Sequence, residues 1–83
     1  MNITEQTLIE YKENEDLNLH GENYLLLAQA FDDYAAIFMA ETYLRVRDSH
    51  FASAKMIDLA RTEAHDFCNL YYYRLKEVLT EGE

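Results

Sequence analysis

The stretch ENYLLLAQAFDDYAAIFMAETYLRVRDSHFASAKMIDLARTEAHDFCNLYYYRLKEVLT, residues 22–80, contains neither proline nor glycine. It is rich in Ala, Leu, Glu and Arg, which lose little conformational freedom in a helix. Its one clear polar break is Asp48-Ser49. In a chain of 83 residues this predicts an all-α fold: two long helices, over 22–47 and 49–79, folded back as an antiparallel hairpin.

Within 22–47, Leu27, Phe31, Tyr34 and Phe38 follow one another at alternating steps of four and three. Ala30, Ile37 and Leu44 widen that line into a broad apolar face, while Gln29, Asp32, Asp33 and Arg47 fall opposite. One such helix would be about 39 Å long. Asp48 or Ser49 is expected to cap the next helix, because a short side-chain oxygen can take the free N–H groups of its first turn. The seam there reads Ser53, Ile57, Ala60, Ala64, Phe67, Tyr71, Leu75 and Val78, with Lys55, Asp58, Thr62, His65, Asp66, Asn69 and Lys76 on the solvated side. Ser53, Ala60 and Ala64 are short and admit a close neighbour; Ser53 is expected to bond back to the carbonyl four residues earlier. Leu27, Phe31, Tyr34, Phe38, Ile57, Ala60, Ala64, Phe67 and Tyr71 are thus the residues expected to pack the hairpin or a dimer.

Ahead of this lies a weaker segment. Asn2 with Glu5 three residues on has the form of a capping box, and Ile3, Leu8, Ile9 and Tyr11 give a short apolar face. A helix over 3–13 is expected, with a strand through Thr7–Tyr11 as the competing reading. Asn14–Asn23 is polar, holds Gly21, and reads as a loop.

The whole chain, 1–83, is one domain, and so short a chain has a marginal core. Cys68 is the single cysteine, so no disulfide can supplement it, and a zinc site lacks ligands. Two broad apolar faces cannot shield each other fully, so a homodimer closing into a helical bundle is the expected remedy. No basic region precedes an apolar run, so no signal peptide is expected. The longest uncharged runs fall far below the roughly 20 apolar residues that span a bilayer. A soluble, cytoplasmic protein is expected.

Sixteen acidic against seven basic residues give a net charge of −9. That disfavours direct binding to nucleic acid or to an anionic membrane and favours a partner protein with a basic surface. Glu10, Glu13, Glu15, Asp16, Asp32 and Asp33 are the candidate acidic contacts, and rows of carboxylates on a rigid rod could mimic nucleic-acid phosphates. The plainer reading is that the acidity keeps a small protein soluble. Tyr71-Tyr72-Tyr73 fan across about 200° of a helix, which points Tyr73 outward as an aromatic contact.

Candidate chemistry is thin. His65-Asp66 with Glu63 nearby lacks a carboxylate three or four residues before the histidine, where Thr62 and Arg61 stand. Cys68, three residues from His65, has no oxyanion site in view and reads as a buried, inert thiol. With Gly21 and Gly82 alone, no phosphate-binding loop can form. Glu41 and Arg45, an i,i+4 pair in the favourable order, read as a rim pair, or alternatively as a half-buried pair fixing register. The sequence thus predicts a non-catalytic protein without metal or cofactor, acting as an acidic regulator or inhibitor. The alternative is a helical chaperone or assembly factor that offers an apolar groove to a partner helix.

Overall fold

The computed structural model describes residues 4–81, and within them it is built of four helices: α1 (Glu5–Asp16), α2 (His20–Ala30), α3 (Tyr34–Arg47) and α4 (Ala54–Glu81). The all-α expectation holds, and the strand reading of Thr7–Tyr11 does not. Asn2 and Ile3 lie outside the described residues; α1 itself begins at Glu5 behind Thr4, which makes no side-chain capping bond.

The unbroken helix expected over 22–47 is instead two helices. The break is a glycine-free Schellman turn. Asp32 takes the left-handed conformation (φ 53°), its N–H donates to Gln29 O at 3.2 Å, and the Asp33 N–H donates to Ala28 O at 3.1 Å. Asp tolerates that conformation better than most side chains because its short polar group bonds locally. Asp33 then serves the next helix: its Oδ1 accepts the Ala36 N–H at 3.1 Å as the α3 N-cap. Residues 17–19 repeat the device. Asn18 is left-handed (φ 61°), its N–H reaches Glu15 O at 2.9 Å, and the Leu19 N–H reaches Asn14 O at 2.6 Å. The loop expected over Asn14–Asn23 therefore shrinks to three residues, with Gly21 inside α2.

The Asp48-Ser49 break is real but does not cap α4. Asp48 closes α3, and Ser53 starts α4 by accepting the Met56 N–H at its Oγ, 3.2 Å away. Ser53 is thus an exposed cap rather than a seam residue bonding backwards, and the helix expected from 49 starts at Ala54.

The expected hairpin of two long arms is replaced by a bundle of α2, α3 and α4, with α1 laid mainly along α2. At 28 residues α4 is about 42 Å long and sets the 47 Å long axis of the molecule. It runs antiparallel to α3: Asp33 meets Tyr71, Ala36 meets Cys68, and Tyr43 with Val46 meets Ile57, Ala60 and Ala64. Alanines permit that approach. Ala28, Ala36 and Ala40 surround Cys68 in one cluster, and Tyr43 joins Ala60 and Ala64 in the other.

Gly21 serves a close approach of the same kind. A Cβ there would sit 2.7 Å from Leu44 Cδ2 and 3.1 Å from Arg47 Nη1. The bare backbone lets the start of α2 meet the end of α3, where Arg47 grips Glu22 with Nη2–Oε1 at 3.0 Å and Nη1–Oε2 at 3.1 Å. Arg47, expected on the solvated side, is half-buried in this fork and also bonds Asp48. Opposite, Asn23 is buried and its Nδ2 donates to Tyr11 O at 3.0 Å, fastening α1 to α2.

Candidate interaction surfaces

The nine residues expected to pack divide into two groups. Leu27, Ala60 and Ala64 are buried, Ile57 lies against the Tyr43 cluster, and Phe31 stacks on Tyr71 with ring centres 4.8 Å apart. Those six are satisfied inside one chain. Tyr34, Phe38 and Phe67 are not: they are 79%, 61% and 44% exposed. They stand among further outward apolar residues on α4 that sequence reasoning missed, Met56, Leu59 and Leu70. The signal was present as a second apolar line on α4, offset from the seam, with 56, 59, 67 and 70 falling in one sector of about 80°.

The acidic residues also divide. Glu10, Glu13, Glu15 and Asp16 are all exposed, on α1 and at its C-terminal end, and none forms an ion pair among the described residues. Three of them occupy the last turn of a helix that has no basic residue there. Asp32 is exposed but spent on the turn geometry. Asp33, expected on the outer face, is half-buried instead: it caps α3 and accepts a hydrogen bond from the Tyr71 hydroxyl at Oδ2. The Tyr71 hydroxyl, then the Ala36 N–H, hold its carboxyl below the usual range.

The three tyrosines fan as their spacing predicts. Tyr71 faces Phe31 and Asp33, Tyr72 stacks on Tyr11 of α1 at 4.8 Å, and Tyr73 is exposed. Glu41 and Arg45 are both exposed and form no ion pair with each other. The fork that ties helix to helix is Glu22–Arg47.

Cys68 is fully buried, and its thiol donates to Ala36 O at 3.8 Å rather than to His65. Burial, and secondarily the Asp33 charge, push this thiol up to about 12. His65 turns the other way, its ring edge-on to Tyr24 with centres 5.9 Å apart and Nδ1 3.7 Å from Asp66 Oδ1. The thiol thus bonds Ala36 O and the imidazole packs on Tyr24, and the two share no hydrogen bond. Among the described residues no three His, Cys, Asp or Glu side chains converge as metal ligands, and no helix is long and apolar enough to cross a membrane. An open groove of about 410 Å³ lies between α1 and the end of α4, lined by Leu8, Ile9 and Leu79 together with Lys12 and Lys76.

Compared with protein-family models, with characterised proteins and with solved structures, this chain matches none.

Proposed function

We propose that this chain is a non-catalytic regulator or inhibitor, dimeric and cytoplasmic, whose α1 carboxylates engage a basic surface of a partner protein. The observation that carries this reading is the acidic end of α1, exposed and without an ion pair among the described residues. A helix C-terminus carries roughly half a negative charge from its aligned peptide dipoles. Glu13, Glu15 and Asp16 add their full charges there with no basic residue in that turn, and Lys76 of α4 acts on Glu15 alone among them. A partner's Lys and Arg would be drawn to that concentration of negative charge. A nucleic-acid-binding protein is the specific form of partner, since its groove is built to receive rows of anions. The buried Cys68 thiol, held in its protonated form, accords with the non-catalytic part of the reading.

A second reading, a chaperone or assembly factor presenting an apolar groove, draws on outward Phe38, Phe67 and Leu70. The two differ in their response to charge. Changing Glu10, Glu13 and Glu15 to Gln and Asp16 to Asn should abolish capture of the partner from a cell extract, as should about 0.5 M salt, where screening extends only a few ångströms. Capture that survives both treatments sinks the acidic-surface reading and favours the apolar one.

A further inference from the structure

Phe38 on α3 and Phe67 on α4 lie at the same height. The antiparallel register sets Asp33 against Tyr71 and Ala36 against Cys68, which brings residue 38 level with 66–67. On α4 the flank carrying Arg61 and His65 turns toward Tyr24 of α2. Met56, Leu59, Phe67 and Leu70 occupy the other flank. Together with Phe38, and with Tyr34 at the rim, they make one apolar face on the side of the α3–α4 layer away from α2.

We propose that this face is the interface of a homodimer, covered by the same face of a second copy. The inference rests on the self-association included in the reading above and assigns it a surface. Area supports it. At roughly 200 Å² for a whole aromatic side chain, and somewhat less for Leu or Met, these six expose on the order of 650 Å² of apolar surface. A standard interface buries about 800 Å² per partner, of which a little over half is apolar. The patch therefore suffices, and it is at the upper end of the roughly 300–600 Å² that the largest apolar patch on a monomer reaches.

Charge selects the occupant. The charged side chains set among or beside these six are Glu41, Arg45, Lys55, Glu63, Asp66, Arg74 and Glu77, four acids and three bases, or −1 of the chain's −9. Two copies can meet here with little like-charge repulsion, although the molecules as wholes repel. A basic partner has little to attract it to this face and much at the end of α1. The interior supplies the need. Among the described residues the largest side chains fully withdrawn from water are Leu27, Leu75 and Cys68, and most other core members are alanines. Pairing α3 and α4 with their two-fold mates makes a four-helix layer and covers Tyr34, Phe38 and Phe67, which the single chain leaves wet.

Sedimentation of the full chain from about 1 to 100 μM tests this, the dimer being expected at twice the 9.8 kDa chain mass. Phe38→Glu with Leu70→Glu should raise the dissociation constant at least ~30-fold, as loss of a central contact does. Circular dichroism should show the helix content retained, because neither side chain is buried in the single chain. If the double variant loses helix, Leu59→Glu alone gives the same comparison. Glu10→Gln with Glu13→Gln should leave the dimer constant unchanged while weakening partner capture, so the two proposals fail separately. A wild-type chain that stays monomeric at about 100 μM overturns the dimer. A dimer indifferent to all the α3 and α4 substitutions overturns the assignment of the face. A monomer whose face takes up a synthetic amphipathic helix would give it to a partner helix instead.

Discussion

The Asp33 carboxylate holds two donors at once, the Ala36 N–H of its own helix and the Tyr71 hydroxyl of α4. One side chain therefore starts α3 and docks it on α4. Asp33→Ala is expected to lower stability by about 1–2 kcal/mol, the range of a lost N-cap, with more to come from the unpaired hydroxyl. In a double-mutant cycle with Tyr71→Phe the two losses should not add, because they share one contact. Strict additivity in thermal melts would deny the coupling.

The same contact sets a pH profile. The carboxyls of Asp33 and Glu22 are lowered from ordinary values of 3.8 and 4.5 by hydrogen bonds from Tyr71 and Arg47 respectively. Their contribution is present above those ordinary values and is lost as pH falls through the lowered ones. At the alkaline end Tyr71, bonded to Asp33, and Tyr11 and Tyr24, partly desolvated, are raised above 10.0. Their contribution is full below 10.0 and is lost as pH rises through the raised values. Melting temperature should thus form a plateau from about pH 5 to 9, falling on both sides. Asp33→Asn should flatten the acid limb; an unchanged limb would remove Asp33 as its source.

Arg47 and Glu22 close the α2–α3 pair through a two-bond fork, with side chains 33% and 35% exposed. That geometry places the pair above an ordinary surface ion pair but leaves it open to screening, so Arg47→Ala should cost about 1–2 kcal/mol at low salt. The cost should shrink as salt is added. Gly21→Val, which drives a branched side chain into Leu44 and Arg47, should cost at least as much. Chemical denaturation of the two variants provides the check.

Asn18 sits in the left-handed region at the end of α1. Asn18→Gly should raise stability by up to about 0.5–1 kcal/mol, since glycine adopts that conformation without steric cost. A fall in melting temperature would show that the Asn side chain contributes more than its backbone strain costs.

Cys68 is packed among alanines with its thiol held protonated. An aromatic disulfide reagent should leave it unmodified in the native protein at pH 8 and react fully in denaturant, so that the labelling rate reports opening of α3 from α4. Rapid native labelling would show that the α3–α4 contact opens freely. Cys68→Ser should destabilise more than Cys68→Ala, because a hydroxyl desolvated beside Ala36 O has one fixed acceptor at best.

By itself the sequence determined that this chain is helical, that α4 is long, and that Leu27, Ala60, Ala64 and Tyr71 face inward. Those conclusions follow from spacing, which the 3.6-residue turn converts directly into sides of a helix. It misled over 22–47, where the absence of glycine and proline looked like continuity. Asn18 and Asp32 make left-handed turns without either residue, and their side chains carry no mark that separates such a turn from an exposed helical position. Only the tertiary structure decided which part of each broad apolar face was covered. A helix in a three-helix bundle has two neighbours, and the directions to them depend on where α2 ends and α3 turns back. That turn placed Phe31 on Tyr71 and left Tyr34, Phe38 and Phe67 facing water. Periodicity along one helix holds no information about that angle, because it is set by contacts between residues distant in the chain.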